Sequence, residues 1–600
     1  MMTRRRFISI TFMILALFVL FQGPQIVRNR YNEYDFNAYY EDSVLDADSV
    51  WNEEAQAKEE VLLIGHNESL ERFVREWARY SKRRVLTAET LEEGCQVFSS
   101  STQLVIIPGE LWQSRDTETD VNNLLEQNAT ILFTGMPETE RLEDSRTLRN
   151  LFGISEIVQD EVTVDGIRLF KGFLLGGERL FIPFNEAEEK RQDMDLELTW
   201  YRTGAGVETY MMGFFEESDT EEKLDNEELP PVLWSIGQPK GKVYTMQCDF
   251  MDDRMIAMGI LSAVMADVHE LELYPVVNAQ QLQILNFPSL ADENEEKIME
   301  LYSRSQTQFE RNIVYPGIVA DTDGNGFKVT SYINPQYDYQ DDSESLDQEL
   351  TWYLSQMKEQ NAEMGYSLVH NDSVSFEQKL AKDMDLLMNE VPNYKYSAIY
   401  VSAKEAEQAV TRLIEPLSST VHTVCTENYE DKGLLDYLTK DITVQQSTAT
   451  VNSYTFTNDL QMLGAETALG YASISIDMER ILWPNEEDDQ WQNASRLIFS
   501  VIDTYWSGFK MLDKTTASET DRNIRNLLAL SYDYTVQDET IHLVTGNHSG
   551  EVYFILRTHN RKVDEVTDGS FVRIEQDAYL IRTEASECDI LLSEDISMRE

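Results

Sequence analysis

Short apolar runs alternate with helical patterns near the start of the chain. The runs at 61–65 (VLLIG), 103–107 (QLVII) and 129–133 (ATILF) are predicted strands, and residues 69–81 carry apolar side chains at helical spacing. Strands separated by ten or more residues of helical pattern predict βαβ units and a parallel sheet. Residues 230–252 add two strands around a Gly-Lys turn, and an apolar helix follows.

A second alternation begins after a connector at 274–292. Strand-like runs lie within 362–376, 395–406 and 420–428, and helical stretches separate them. This order predicts a β/α barrel whose strand ends gather at one face, where active sites of such barrels lie. Beyond residue 536, alternating β-branched runs with Gly-containing turns predict a small antiparallel sandwich.

One acidic motif within the predicted barrel carries candidate chemistry. A strand rich in Ile and Val is predicted to run into Asp321-Thr322-Asp323-Gly324. Alternate strand residues point the same way, so the two carboxylates would share one side at the strand exit. That arrangement suits a base and a metal ligand sharing a water. An Asp/Asn/Gly turn is the alternative, while an EF-hand fits poorly because the twelfth loop position is Tyr332 rather than Glu.

The N-terminus predicts a membrane anchor. Arg4, Arg5 and Arg6 precede an apolar run from Phe7 to Phe21, and no A-x-A-like cleavage site follows. Residues 1–30 are therefore predicted to be a cytoplasmic arginine cluster with an uncleaved single span in the cell membrane. The acidic segment 31–57 is a predicted solvated stalk, which places the remaining chain outside the cytoplasm.

Charge and cysteine content narrow the partners. The 107 acidic and 50 basic residues give a formal net charge of −57, which rules strongly against nucleic acid as a general partner. Two explanations of the acidity stay open. It suits solubility in the cell envelope or growth in salt, or it attracts a cationic glycan. The four cysteines are far apart and form no C-x-x-C pair, so no disulfide is assigned.

Two segments resemble known families. The residues around Ile106-Ile107-Pro108-Gly109 and at 234–246 resemble class I glutamine-amidotransferase-like domains over about 58–272. The G-x-C-x-G elbow that carries the nucleophile is absent, because Cys95 lies in EEGCQVFSS before the IIPG strand. The resemblance implies a non-catalytic binding or scaffold domain.

The predicted barrel, roughly 274–535, resembles NodB-type polysaccharide deacetylases of the glycoside hydrolase/deacetylase superfamily. The predicted barrel follows the amidotransferase-like domain along the chain. This domain order is similar to that of the extracytoplasmic branch found in Pel-type exopolysaccharide gene sets. The resemblance implies Asp321 as the general base and Asp323 as a ligand of a divalent, Zn-type metal. In the second family motif, Ser367 stands at the first His position and His370 falls one residue short of the second, so Asp323 and His370 remain as ligands, with Asp372 a conceivable substitute.

The resulting hypothesis is a membrane-anchored, extracytoplasmic α/β protein of exopolysaccharide synthesis or export in biofilm-forming cell envelopes. Its domains would be the anchor, the stalk, an amidotransferase-like domain at 58–272, a degenerate deacetylase-like barrel at 273–535 that binds polysaccharide, and a β domain at 536–600. Two alternatives stay open: an active metal-dependent polysaccharide N-deacetylase, and a non-enzymatic scaffold for membrane-bound synthesis proteins.

Several further side chains are weaker candidates. Asp477 and Glu479 are a predicted carboxylate pair on one strand, and three tryptophans could stack on sugar rings or belong to the core. His66 is expected to be a loop residue, His269 and His422 core residues, and His542, His548 and His559 solvent-facing strand residues. The three tryptophans are Trp483, Trp491 and Trp506.

Overall fold

The computed structural model describes residues 45–595, apart from 114–116, 184–185, 216–227, 340–346, 372–373 and 392–393. The predicted anchor at 1–30 lies outside the described residues. Within the described part of the chain, every helix is too short or too polar to cross a bilayer. The described residues thus give no support to the predicted transmembrane helix or to a single-pass cell-membrane protein.

The described end of the predicted stalk packs against the body. Trp51 is buried, and its backbone N–H donates to Leu528 O at 2.9 Å. The backbone N–H of Ala47 donates to Lys440 O at 3.0 Å. Residues 45–57 are therefore attached to the folded body, unlike the solvated tether that their acidity predicts.

The first region forms a mixed sheet. Five strands lie parallel in the order β2-β1-β3-β4-β11, and four antiparallel strands continue them in the order β10-β9-β6-β7. The predicted parallel sheet is thus wrong for its second half, where hairpins replace crossover helices. The strands are β1 (Glu60–Ile64), β2 (Arg84–Ala88), β3 (Thr102–Ile107), β4 (Thr130–Phe133), β5 (Ile154–Val164), β6 (Gly166–Leu169), β7 (Arg179–Phe181), β8 (Leu196–Thr203), β9 (Val207–Phe214), β10 (Pro231–Gly237), β11 (Lys242–Met246) and β12 (Leu271–Val276).

The helices of this region cover the sheet. The Asn67 side chain caps the second of them by accepting from Leu70 N at 2.9 Å, and Trp77 on its inner face is buried. The helices are α1 (Glu53–Gln56), α2 (Glu68–Ser81), α3 (Leu91–Val97), α4 (Thr117–Glu126), α5 (Thr139–Asp144), α6 (Arg146–Phe152), α7 (Glu186–Glu189) and α8 (Arg254–Val268). Strands β5 and β8 pair with each other outside the large sheet.

The second region is a half-barrel. Its sheet has the order β18-β19-β17-β16-β15-β14-β13-β21-β20, with every neighbouring pair parallel except β18 and β19. The sheet does not close on itself, which corrects the predicted barrel. The strands are β13 (Ala279–Leu285), β14 (Val329–Ile333), β15 (Glu363–Ser367), β16 (Ala398–Tyr400), β17 (Thr423–Thr426), β18 (Leu435–Tyr437), β19 (Thr443–Gln446), β20 (Ala449–Thr450) and β21 (Tyr471–Asp477).

One helix closes the concave side near the amino ends of the strands. At its start, Ala517 N donates to Thr330 Oγ1 and Ala517 O accepts from Gln445 Nε2, both at 2.9 Å. The helices of the half-barrel are α9 (Glu295–Tyr302), α10 (Gln306–Phe309), α11 (Tyr315–Asn325), α12 (Asp347–Glu359), α13 (Phe376–Glu390), α14 (Ala406–Thr411), α15 (Leu417–Thr420), α16 (Phe456–Leu469), α17 (Met478–Leu482), α18 (Trp491–Tyr505) and α19 (Ala517–Ala529).

Two four-stranded antiparallel sheets complete the molecule. Their orders are β12-β24-β27-β26 and β22-β23-β28-β25, and their facing side chains form one apolar core. The strands are β22 (Ser531–Gln537), β23 (Thr540–Gly546), β24 (Val552–Thr558), β25 (Arg561–Val566), β26 (Gly569–Glu575), β27 (Ala578–Thr583) and β28 (Glu587–Glu594). Because β12 lies in the first of these sheets, this unit includes a strand that precedes the half-barrel in the chain.

Candidate functional site

The carboxyl ends of the parallel half-barrel strands meet at one edge, which we call the carboxyl edge. Ligands of open α/β sheets and barrels bind at such edges. Polar side chains end or directly follow the strands there. They are Asn286 after β13, Asn334 after β14, Ser367 on β15, Glu427 after β17 and Asp477 on β21.

Asn286 is held in one orientation by three of these side chains. Its Nδ2 donates to Asp477 Oδ1 at 3.1 Å. Its Oδ1 accepts from Ser367 Oγ at 2.6 Å and from Asn334 Nδ2 at 3.3 Å. Asn286 and Asn334 are both buried, so their amides form a fixed polar floor for this edge.

The carboxyl edge also holds a group of carboxylates. Asp477 accepts from Glu479 N at 3.0 Å and so caps α17. Burial, followed by the charges of Glu479 and Glu427, raises the pKa of Asp477 to about 7. Burial also raises the pKa of Glu479, whose Oε1 accepts from Tyr337 OH at 2.7 Å. A carboxyl group that titrates near neutral pH is suited to accept and return a proton.

A shallow pocket of about 10 Å³, room for about one water molecule, opens beside these carboxylates. Two half-buried aromatic rings, Tyr337 and Trp483, stand on its wall with ring centroids 5.0 Å apart. Partly exposed aromatic faces are the usual apolar platforms for sugar rings. The lining consists of Asn286, Ser289, Glu293, Gln306, Asn334, Tyr337, Glu479, Leu482 and Trp483.

A buried ion pair supports the pocket from below. Lys379 Nζ donates to Asn334 Oδ1 at 2.8 Å and to Asp383 Oδ2 at 2.7 Å. Asp383 Oδ2 accepts from Tyr366 OH at 2.8 Å as well. Burial lowers the pKa of Lys379 to about 7. The lysine thus fixes the position of the Asn334 amide.

The D-T-D-G motif lies in a helix and not at a strand exit. Asp321 and Asp323 belong to α11, which leads into the amino end of β14. Asn325 Nδ2 contacts Asp503 Oδ1 at 3.3 Å, near the end of α18. Partial burial and the charge of Asp503 raise the pKa of Asp321 to about 6. The predicted strand is wrong because this apolar run packs as a helix against Trp491 on α18.

His370 lies at the other end of the strands. It follows β15 at the carboxyl edge, and its Nδ1 is 3.0 Å from Leu368 O. The structure therefore does not bring His370 together with Asp321 and Asp323, and Asp372 is outside the described residues. Among the described residues, no group of three or more His, Cys, Asp or Glu is placed to hold a metal ion. The chemical roles of the three residues, and the divalent metal itself, stay predictions.

The weaker candidates are distributed over the molecule. Glu479 lies on α17 rather than on the strand of Asp477, and of the three tryptophans only Trp483 lines the pocket, since Trp491 and Trp506 are buried in the core. Burial raises the pKa of the Cys95 thiol on α3, away from the reactive thiolate. The histidines have separate neighbours. His66 lies beside Glu89, His269 beside Glu272 and Gln103, and His542 beside Asp589. His548 lies beside Thr545 and His559 beside Ala266 O, while His422 is half-buried just before β17.

Sequence reasoning missed Asn286 and Asn334. Asn286 lies in the segment interpreted as a connector, although the strand signal of AQQLQIL just before it is visible. An apolar strand that ends in Asn or Asp is the pattern that could have indicated both residues.

No protein-family model and no curated protein matches this chain. Among solved structures, Agd3, described as a novel carbohydrate deacetylase, aligns over 90% of this chain and 99% of its own, with 9% identity and a TM-score of 0.51. A putative glycoside hydrolase/deacetylase from Parabacteroides distasonis aligns over 47% of this chain and 82% of its own, with 9% identity and a TM-score of 0.28. The alignment with Agd3 shows that the two chains share a similar overall fold across nearly the whole length of this chain.

Proposed function

We propose that the protein binds polysaccharide at the carboxyl edge of its half-barrel. The observation that carries the proposal is the surface around the shallow pocket, where Tyr337 and Trp483 stand beside Glu479 and the fixed amides of Asn286 and Asn334. Aromatic faces and oriented polar groups together match the apolar faces and the hydroxyl rim of a sugar ring. The overall likeness to Agd3 supports the same ligand class.

The finer proposal is a role in exopolysaccharide synthesis or export. The first region would then act as an amidotransferase-like scaffold, as the resemblance to Pel-type gene sets suggests. Cys95 supports a non-catalytic reading, because it lies within a helix and its thiol pKa is raised.

The test is calorimetric titration of the full chain with tetramers of N-acetylglucosamine and of glucosamine. Trp483→Ala removes one stacking face, so we expect about tenfold weaker binding. Trp200→Ala, which removes a half-buried tryptophan on β8, is the matched control and should leave affinity unchanged. Equal binding by wild type and W483A would place the saccharide site elsewhere than the carboxyl edge, whereas no binding at all together with co-purification of synthesis proteins would favour the scaffold role.

A second candidate is polysaccharide N-deacetylation, favoured by the extent of the alignment with Agd3. It is tested by acetate release from the N-acetylglucosamine tetramer and by the metal content of the purified chain. If the roles predicted from the sequence hold, Asp321→Asn, Asp323→Ala and His370→Ala each abolish acetate release, and the last two also lower metal content. Acetate release that only Asp477→Asn abolishes would assign the chemistry to the carboxyl-edge carboxylates.

A further inference from the structure

A second cavity, of about 490 Å³, lies between the first region and the two C-terminal sheets. One wall is the loop that joins β6 to β7, with Lys171, Gly172 and Gly177. The other walls are the turn after β24, at His559 and Asn560, and the turn after β26, at residues 575–577. Its size falls within the range of small-molecule sites, which occur preferentially where structural units meet.

The walls of the cavity are fixed by hydrogen bonds across this junction. Arg557 donates to Gly172 O at 2.7 Å and to Phe173 O at 3.2 Å. Glu575 Oε1 accepts from Gly176 N at 2.6 Å. His559 Nε2 lies 2.8 Å from Ala266 O at the other side. The cavity is therefore held open by the same contacts that join the two units, and a ligand would meet a preformed site.

The two carboxylates at the cavity already have partners. Glu575 accepts a backbone N–H, and Asp577 Oδ2 lies 3.4 Å from Arg557 Nη2. By contrast, the ammonium of Lys171 and the side-chain amides of Asn560 and Gln576 have no hydrogen-bond or ion-pair partner among the described residues, and all three residues are exposed. The groups left for a ligand are thus one ammonium and two amides.

These groups select an uncharged, polyhydroxylated ligand. An amide offers two donors and one acceptor oxygen from one plane, which complements hydroxyl groups that both donate and accept. A polyanion would meet the carboxylates of Glu575 and Asp577, and a polycation would meet Lys171. Cβ atoms added at Gly172 and Gly177 would contact nothing within 4 Å, so the loop leaves room for a ring beside it.

We infer that this cavity is a second saccharide-binding site, distinct from the carboxyl edge. The inference rests on the proposed function for the class of ligand, because it takes a further segment of the same polysaccharide. A chain bound at two sites dissociates more slowly than one bound at either site alone, since the second contact is intramolecular.

The test is titration of the full chain with the N-acetylglucosamine tetramer. Wild type should show two sites per chain. Asn560→Gly combined with Gln576→Ala should leave one site, and the glycine suits the positive φ of 56° at residue 560, so the turn is preserved. Asn128→Gly, at another exposed turn with a φ of 66°, is the matched control and should keep both sites.

The two proposals fail in different ways. If wild type shows one site that Trp483→Ala removes and the double variant keeps, the cavity inference is overturned and the carboxyl-edge proposal stands. If the double variant removes all binding and Trp483→Ala removes none, the carboxyl-edge proposal fails and the cavity is the binding site. Unchanged thermal melting of the double variant excludes unfolding as the cause of a lost site.

Discussion

Asp477 combines structural and chemical roles at a single residue. It accepts from Asn286 Nδ2 and caps α17 through Glu479 N, and both contacts use the same oxygen, Oδ1. Its folded pKa of about 7 lies above the ordinary value of about 3.9 for an unfolded Asp. The folded state therefore binds more protons between these values, and stability falls as the pH rises from about 4 to about 7.

We expect Asp477→Asn to stabilise the protein more at pH 8 than at pH 5, by a difference of roughly 2–3 kcal/mol, because folded Asp477 stays protonated up to a pH of about 7. The amide keeps an oxygen acceptor for Asn286 and Glu479 but never carries the charge that burial and Glu427 disfavour. Differential scanning calorimetry at both pH values measures the effect. Asp538→Asn, at an exposed turn, is the control, and equal shifts in both variants or a loss of stability at pH 8 would contradict the account.

Single residues also explain how far the sequence could predict this site. The carboxylates Asp477 and Glu479 are recognisable because acids follow an apolar strand run. The strand predicted before Asp321 and Asp323 is wrong because the apolar residues there fit a helix as well as a strand. Asn286 is invisible to a search for titratable groups, although its amide organises the edge.

At the level of elements, two helices join the first region to the half-barrel through glycines. Helices α8 and α16 approach so closely that a Cβ on Gly464 would lie 2.3 Å from Met255 O, and one on Gly259 would lie 2.4 Å from Gly464 Cα. These contacts are with backbone, which cannot rotate aside. Only glycine permits this separation.

Gly464→Ala should therefore destabilise the protein by about 1–3 kcal/mol, because the helices must separate or bend. Urea unfolding of the full chain measures this change. Gly324→Ala on α11 is the matched control: its Cβ would meet nothing within 4 Å, so we expect a gain of about 0.5–1 kcal/mol from helix propensity. A Gly464 variant as stable as wild type would show that the helix crossing adjusts freely.

The elements predicted best are those with strong local patterns. Strands β1, β3 and β4 and helix α2 follow from apolar runs and helical spacing. Strands β6, β7 and β9 were not predicted, because β6 and β7 have only four and three residues, β9 shows no regular alternation of buried and exposed positions, and their pairing is set by distant neighbours. Closure of a barrel also depends on long-range geometry, which short runs do not encode.

For the whole molecule, the units are joined by more than chain connectivity. Strand β12 pairs with β24 across almost 280 residues of sequence. Arg83 on the first region binds Glu272 on β12, and Lys82 Nζ donates to Leu527 O on α19 at 2.6 Å. These buried contacts link the first region, the half-barrel and the C-terminal sheets.

The same molecule carries a net charge of −57, and this excess must repel itself across the surface. The Debye length falls from about 30 Å at 0.01 M salt to about 10 Å at 0.1 M, so added salt screens this repulsion, while buried pairs such as Arg83 with Glu272 are screened much less. We therefore expect the melting temperature to rise by a few degrees between about 10 and 300 mM NaCl. Sucrose at equal osmolality controls for solvent exclusion. The salt effect should be larger at pH 8 than at pH 5, because fewer carboxylates are ionised at pH 5. A melting temperature that falls with salt would mean that surface ion pairs such as Lys190 with Asp488 outweigh the repulsion. We do not expect this, because exposed ion pairs contribute little to stability.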